Sequence, residues 1–187
     1  MKLSRIALAL AVVAGLGAAL AEDYEEAVDF TLLDVNGDEY TLSEMLKRGP
    51  VYLECWDLPC VNCIAELDAL VPIFEELEPY GLQIIALSVD KPADEAKVRA
   101  FVAGKQWPYV CLLDQQQEVK GDYGIIIKPT AYLINTDGEI VYTHIGYKKG
   151  DEERIKEEFL RWLPDEPIAA PEGEAAPPAE PEEPEGE

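Results

Sequence analysis

The sequence predicts an α/β domain in which a mixed central sheet is covered by helices on both faces. Two short runs, residues 51–56 and 82–89, are almost continuously apolar, which is typical of strands buried on both sides of a sheet. Each run is followed by apolar residues at helical spacing, so each strand is expected to lead into an amphipathic helix. Two later segments flank Asp137-Gly138, a dipeptide favoured in tight hairpin turns. An antiparallel hairpin combined with helix-linked strands requires a mixed sheet.

The domain is predicted to begin with a β-hairpin over residues 30–40. Asn36-Gly37 supplies the turn between an apolar-rich run and a segment that contains Thr and Tyr. Ser43 stands where a helix cap belongs, before a short helix over residues 44–47. Gly49-Pro50 ends that helix and separates it from the first buried strand.

The remaining elements follow from the same periodicities. The helix after the first buried strand carries its apolar face on Ile64, Leu67, Leu70, Val71, Phe74 and Leu77. Further predictions are a helix over 93–103, a strand over 109–113, a helical turn near 116–123 and hairpin strands over 130–134 and 139–145. A closing helix places its apolar residues at Ile155, Phe159, Trp162 and Leu163.

The first 21 residues have the features of an export signal. Lys2 and Arg5 form a basic start, an apolar stretch follows over 6–20, and a small-residue motif ends at Ala21, where cleavage is expected. The apolar stretch is shorter than the ~20 residues that cross a bilayer comfortably, although an uncleaved membrane tether is the alternative. The protein is therefore expected to be periplasmic or otherwise exported.

The chain from Pro164 onward differs in composition from the domain before it. Residues 164–187 are almost entirely Pro, Glu, Ala, Asp and Gly, which cannot bury enough apolar surface to offset the entropy of ordering. We predict a folded domain over 22–163 and then a disordered acidic tail that serves solubility or docks a basic partner. The net charge of -23 argues against nucleic acid as a partner, because phosphate backbones are bound by clustered Lys and Arg.

Cys60 and Cys63 follow a predicted buried strand and occupy the start of the next helix. Free backbone N–H groups and the positive end of the helix dipole favour a thiolate at Cys60. Cys60 is then expected to attack a substrate disulfide, and Cys63 to attack the mixed disulfide and release the product. The spacing therefore predicts catalysis through a redox-active disulfide between Cys60 and Cys63.

Other roles for the cysteines are less well supported. A structural zinc site needs four Cys or His ligands, commonly in two close pairs, and this chain adds only the isolated Cys55, Cys111 and His144, so no metal site is predicted. A purely structural disulfide would close so short a loop that it would constrain the unfolded chain little. We interpret Cys55 and Cys111 as core thiols rather than a second redox pair, and His144 as a surface or packing residue.

Glu54 interrupts the first apolar strand with a carboxyl group. Burial of such a group raises its pKa, and near Cys63 it could accept and return the proton of that thiol. The alternative is that Glu54 lies near the strand end and reaches water. Trp56 is interpreted as a shield for the cysteines, with a core role as its alternative. Pro129 comes just before a strand, where either a cis bond or an ordinary trans proline can be accommodated.

Taken together, these motifs resemble the thioredoxin superfamily and, within it, the exported TlpA/ResA/DsbE-like thiol:disulfide oxidoreductases. The likeness spans roughly residues 30–163. It rests on Asn36-Gly37 with Leu42-Ser43, on the block from Trp56 through Cys60-Val61-Asn62-Cys63 to Glu66, on Lys128-Pro129-Thr130, and on residues 137–141.

The resemblance implies a thioredoxin-like three-layer fold with an N-terminal β-hairpin and a β-α insertion before the proline loop. It implies that Cys60 is the exposed nucleophile and Cys63 the resolving thiol. Pro129 resembles the cis-proline of the family, whose backbone pairs with an extended substrate segment, and Lys128 and Trp56 are assigned to the same substrate-binding surface. Glu54 falls where thioredoxins carry a buried aspartate.

The resemblance also implies a cellular role. Members of this subgroup act as reductants in an oxidising compartment, receive electrons from a membrane thiol carrier, and in several cases serve cytochrome c maturation. We therefore expect protein thiol/disulfide substrates, a membrane thiol reductant as donor, no cofactor and a monomeric protein. The alternatives are a disulfide oxidase or isomerase with the same couple, or a thioredoxin-fold copper carrier, because soft thiolates favour Cu(I).

Overall fold

The computed structural model describes residues 24–168, so the predicted signal peptide and the predicted tail beyond residue 168 lie outside the described residues. Within this range the strands β1 to β8 are Glu25–Glu26, Thr31–Leu33, Glu39–Thr41, Val51–Trp56, Gln83–Ser88, Val110–Leu113, Thr130–Ile134 and Glu139–Ile145. The α-helices α1 to α5 are Leu42–Met45, Val61–Leu77, Glu95–Lys105, Glu118–Asp122 and Asp151–Trp162. Short 3-10 turns occupy Glu78–Tyr80 and Pro92–Asp94. In this part of the chain no helix combines the length and the apolar character needed to cross a bilayer.

The central sheet is mixed, as predicted, and has the strand order β1-β8-β7-β4-β5-β6. Strands β4, β5 and β6 run parallel, whereas β7 is antiparallel to both β4 and β8. The predicted N-terminal hairpin forms as a separate two-stranded sheet of β2 and β3. Strand β1, which sequence patterns did not indicate, adds two residues to the edge of β8. The strand β4 that leads to the cysteines is therefore flanked by strands on both sides.

Helices cover both faces of the sheet, which confirms the predicted layering. Helices α2, α3 and α5 contribute to one core cluster, whose sheet residues include Tyr52 and Trp56. Helices α1 and α4, with the β2-β3 hairpin, contribute to a second cluster that contains Leu53 and Cys55. Because successive side chains of a strand point to opposite faces, β4 supplies both cores and is fully buried along its length.

The predicted cap of the first helix is wrong in detail. Helix α1 begins one residue before Ser43, and Thr41 occupies its N-cap position without a side-chain hydrogen bond. The backbone N–H of Ser43 instead donates to a carboxylate oxygen of Asp29, at 2.9 Å. An acceptor fourteen residues upstream thus replaces the local cap, because the free N–H groups of a helix start can donate to any suitably placed oxygen.

Candidate active site

Cys60 and Cys63 lie where β4 passes into α2, and they are joined in a disulfide. Cys60 is the N-cap residue of the 17-residue helix α2, and its sulfur accepts a hydrogen bond from the backbone N–H of Cys63 at 3.3 Å. Cys60 is partly exposed, whereas Cys63 is completely buried against the sheet. The helix start therefore presents one sulfur to solvent and keeps the other behind it, and its N–H groups can stabilise a thiolate.

The loop before Cys60 forms polar contacts with two other segments. The backbone N–H of Cys60 donates to the carbonyl of Asp57 at 3.0 Å, and the Asp57 carboxylate forms an ion pair with Lys128. The backbone N–H of Leu58 donates to the carboxylate of Asp90, which follows β5. The position of Cys60 is thus set by contacts with the proline loop and with the end of a neighbouring strand.

Pro129 is buried, and the Lys128–Pro129 peptide bond is cis, as the family resemblance implies. Thr130 pairs with Cys55 across β4 and β7, so Pro129 lies one residue further along, toward the end of β4 that leads to Cys60. The carbonyl oxygen of Pro129 accepts from the backbone N–H of Gly146 at 2.8 Å. The proline loop and the cysteine loop therefore occupy the same end of the sheet.

The structure does not support a direct role for Trp56 in binding substrate. Its side chain is completely buried and packs against Phe101 and Trp107, with ring centroids 5.6 and 5.2 Å away. Trp56 occupies the sheet face under α2 and α3, because its position in the β4 alternation points it inward. The sequence left a core role for Trp56 as the alternative, and this is the role observed.

Three large apolar side chains are exposed on the segments beside Cys60. Val61, the next residue, is 76% exposed, while Ile126 and Ile127, which precede the proline loop, are 91% and 60% exposed. Such residues usually lie inside a protein, and a group of them at one place marks a surface that another molecule covers. We refer to Val61, Ile126 and Ile127 as the apolar rim.

Glu54 is completely buried, so the alternative that it reaches water is excluded. In the sheet register it pairs with Ala131 on one side and Ala86 on the other, and these small neighbours leave room for the carboxyl group. Neither carboxyl oxygen has a hydrogen-bond partner. Burial, and secondarily the nearby Glu66 carboxyl, raise the pKa of Glu54 well above its ordinary value. Burial therefore favours the protonated form of this carboxyl group.

Glu66, which the sequence placed in the motif block of the family resemblance without a role of its own, is a buried residue of the site. It lies one helical turn after Cys63 on the sheet-facing side of α2, and its Oε1 accepts from the hydroxyl of Tyr52 at 2.8 Å. Burial raises the pKa of Glu66 to about 7, against the opposing effect of the Tyr52 hydrogen bond. The available signal was its spacing: Glu66 falls within the apolar stripe that runs from Cys63 to Leu67.

His144 is a buried residue rather than a surface one, with 3% of its surface exposed. It pairs with Ala131 in the sheet and so shares a row with Glu54, two strands away. Its Nε2 lies 4.0 Å from Oε2 of Glu66. The two carboxyl groups and the imidazole thus form one buried cluster behind Cys63, which we call the acid cluster.

The other two cysteines are free and buried. Cys55 lies in the core on the sheet face opposite α2. Cys111 lies in the core between the sheet and α2. Burial raises the pKa of each thiol to about 12, which suppresses the reactive thiolate at neutral pH. Their positions on opposite faces agree with two separate core thiols.

Between residues 24 and 168, no set of three or more His, Cys, Asp and Glu side chains is arranged to hold a metal ion.

Comparison with known proteins gives a consistent family. Residues 24–143 match the model of the AhpC/TSA family. The thiol-disulfide oxidoreductase ResA of Halalkalibacterium halodurans is 34% identical over 144 residues, which cover 77% of this chain and 78% of that protein. The ResA of Bacillus anthracis is 29% identical over 139 residues, covering 74% and 75% of the two chains.

Solved structures show the same fold at lower identity. A Chlorobium tepidum protein assigned as the thiol:disulfide interchange protein DsbE superposes with a TM-score of 0.69 at 24% identity, covering 75% of this chain and 96% of that one. StoA from Bacillus subtilis superposes with a TM-score of 0.60 at 23% identity, covering 70% and 96%. Both likenesses concern the arrangement of the sheet and helices described above.

Proposed function

Because the chain belongs to the AhpC/TSA family and to its ResA-like thiol:disulfide oxidoreductases, we propose that it is an exported reductant of protein disulfides that works through Cys60 and Cys63. The observation that carries this proposal is the disulfide at the start of α2, with Cys60 partly exposed and Cys63 buried behind it. Only the first sulfur can meet a substrate, and only the second can resolve the adduct.

The reaction uses the reduced form of the couple. The Cys60 thiolate attacks one sulfur of a substrate disulfide, a mixed disulfide forms, and the other substrate sulfur leaves as a thiolate and takes a proton. Cys63 then loses its proton and attacks the Cys60 sulfur, which releases the second substrate thiol and closes the Cys60–Cys63 disulfide. Two electrons have passed from the enzyme to the substrate, and a dithiol donor restores the reduced enzyme.

The acid cluster is suited to the proton transfer in this cycle. Cys63 is buried, so its proton needs an acceptor inside the protein, and Glu66 lies one turn along the same face of α2. A carboxyl group with a pKa of about 7 can both accept and return a proton at neutral pH. Glu54, whose pKa burial also raises well above its ordinary value, is the second carboxyl group of the pair.

The substrate is proposed to be an extended protein segment that carries a cysteine. Pro129 and Lys128 would face this segment from the proline loop, and the apolar rim would contact its side chains next to the cysteine. Exposed Val61, Ile126 and Ile127 support a segment with apolar residues at these positions. Trp56 acts behind this surface, as packing for the loop.

The direction of electron flow and the place of action complete the proposal. A membrane thiol carrier would donate electrons to the monomeric protein, and heme-attachment cysteines of apocytochrome c are the proposed targets. The first 21 residues would be removed after Ala21, and the acidic tail would serve solubility or dock a basic partner. N-terminal sequencing of the protein isolated from its host is expected to begin at Glu22.

The redox potential tests the reductant assignment. Equilibration of the Cys60–Cys63 couple with glutathione is expected to give a strongly reducing value. A potential of about -120 mV, in the range of a dedicated oxidase, would reject the assignment as a reductant and favour an oxidase or isomerase.

Trapping in cells tests the catalytic assignment. Cys63→Ser removes the resolving thiol, so mixed disulfides with substrates are expected to accumulate on Cys60 and can be identified by mass spectrometry. The matched controls are Cys60→Ser/Cys63→Ser, which should trap nothing, and Cys55→Ala/Cys63→Ser, which should trap the same partners. Absence of adducts in the single variant, or their persistence without Cys60, would overturn the assignment.

A further inference from the structure

We propose that His144 is a positioning residue that keeps Glu66, rather than Glu54, as the proton-exchanging carboxyl behind Cys63. This inference rests on the proposed disulfide exchange and adds to it the residue that makes the two buried carboxyl groups unequal. It starts from an imidazole nitrogen and a carboxyl oxygen that are both buried and that have no hydrogen-bond partner of their own.

The sheet register brings the imidazole to the carboxyl pair. His144, Ala131 and Glu54 occupy one row across β8, β7 and β4, so their side chains point to the same face. Helix α2 lies over this face and places Glu66 on it. Ala131, between the two larger residues, leaves the space in which the imidazole reaches the carboxyl groups.

The surroundings of Nδ1 determine where the imidazole carries its proton. Nδ1 lies 3.5 Å from a guanidinium nitrogen of Arg154 and 3.4 Å from the hydroxyl of Tyr142. A guanidinium group can only donate, so Nδ1 keeps its lone pair and the proton resides on Nε2. The N–H of Nε2 then points toward Oε2 of Glu66, 4.0 Å away. Neither atom has another partner, and a small rotation of either side chain brings them within hydrogen-bond distance.

The imidazole is uncharged at neutral pH. Burial lowers the pKa of His144, Arg154 lowers it further, and Asp151 opposes the decrease. Titratable and charged groups face the cluster from every element packed against it. They are Tyr142 on β8, Tyr52 and Glu54 on β4, Glu66 on α2, Asp151, Glu152 and Arg154 on α5, and Tyr147 in the connection before α5.

Donation by His144 separates the two carboxyl groups in acidity. Glu66 receives the Tyr52 hydroxyl on one oxygen, and after that small side-chain rotation its other oxygen, now 4.0 Å from Nε2, would receive the His144 N–H. Both donors favour the anionic form of Glu66. Glu54 receives no hydrogen bond, so no donor stabilises its anionic form. When Cys63 reacts, its proton moves to the Glu66 carboxylate, and it returns to the sulfur when Cys63 becomes a leaving group. Without the imidazole, the anion of Glu66 loses half of its donors.

Two substitutions of His144 separate positioning from packing. His144→Leu removes the donor, so we expect the pH profile of substrate reduction by the prereduced enzyme to shift upward by about one pH unit, with the rate at pH 7 about fivefold lower. His144→Gln returns an N–H near the position of Nε2 and should restore the profile to within about twofold. Thermal unfolding of both variants shows whether each is folded. Unshifted profiles in folded His144→Leu protein, or equal shifts in the two variants, would overturn the proposal.

A double variant and the single histidine of the sequence give further tests. In a Glu66→Gln background, His144→Leu should cause no additional shift, because the carboxylate that it serves is gone. The ¹⁵N spectrum of the one imidazole should show the neutral Nε2–H form at pH 7. An independent shift in the double variant, or an Nδ1–H tautomer, contradicts the proposal.

The variants Cys60→Ser and His144→Leu distinguish the role of His144 from disulfide exchange itself. If Cys60→Ser is inactive and His144→Leu behaves as the parent protein, disulfide exchange stands and only the role of His144 falls. If Cys60→Ser retains the activity, the proposed function itself is wrong.

Discussion

The two faces of the central sheet are built from the same strands but hold very different chemistry. Along β4, Glu54 points toward α2 and Cys55 toward the opposite core. The α2 face also receives Glu66 and His144, whose facing polar atoms lack hydrogen-bond partners. The opposite face is filled at the same level by aliphatic groups such as Leu53 and Leu87. One face carries the reactive groups within its core, and the other carries packing alone.

The contrast shows how a small domain can contain strained polar chemistry. Buried carboxyl groups without partners cost free energy, since each loses its hydration and receives little in return. The aliphatic core on the other side of the same strands supplies burial that offsets this cost. The sheet can therefore be destabilised at Glu54 and still hold Cys60 and Cys63 in place.

The largest expected effect separates the two thiol environments. Cys60→Ser should lower the rate of disulfide reduction by at least about 10³-fold, because the nucleophile is lost. Cys55→Ala, on the packing face, should leave the rate within about twofold, because a buried thiol with a pKa of about 12 does not react. Both rates can be measured with insulin as the substrate. A comparable loss in Cys55→Ala would break the distinction between the faces.

The next effect tests the packing face. Leu53→Ala should reduce the free energy of unfolding by about 3 kcal/mol, because it leaves a cavity in a completely buried site. The rate of disulfide reduction by the folded fraction should be unchanged. Chemical denaturation with activity measured below the transition gives both quantities. A stable but inactive variant would mean that this face also shapes the site.

The third effect is a pH dependence that originates on the reactive face. The pKa of Glu66 is about 7 in the folded protein and near 4.3 in an unfolded chain. Between these values the folded state holds a proton that the unfolded state has released, so the free energy of unfolding should fall as pH rises through this window, by roughly 2 to 3 kcal/mol. Below the unfolded pKa this contribution is fully present. Glu66→Gln is the control: its unfolding profile should lose this part of the decrease and keep the part that the raised pKa of Glu54 contributes with the same sign.

The smallest effect reverses the usual sign of a core substitution. Glu54→Leu should raise the free energy of unfolding by about 2 kcal/mol, because it removes a buried carboxyl group that has no partner. The same variant should reduce disulfides more slowly, because the carboxyl pair is broken. Denaturation at pH 7 should show a higher free energy of unfolding for Glu54→Leu and a lower one for Leu53→Ala on the other face. Destabilisation by Glu54→Leu would show that the carboxyl is better satisfied than its surroundings indicate.

The sequence by itself determined the order of elements and the position of the cysteine pair. Strand β4, the hairpin strands β7 and β8, and the start of α2 at Cys60 agree with the predictions from periodicity and turn residues. These features are local: alternation, helical spacing and turn dipeptides are properties of neighbouring residues. The location of Cys60 on a helix N-terminus follows from them without any knowledge of packing.

Only the tertiary structure decided which polar and aromatic side chains are enclosed. Glu66 has the sequence context of an ordinary helix residue and His144 that of a surface strand, but both are buried, while Trp56 is a core residue instead of a substrate contact. Asp29 binds the start of α1 from fourteen residues away. The reason is physical: burial and partnership depend on which segments pack together, and the sheet register that aligns His144 with Glu54 joins residues ninety positions apart.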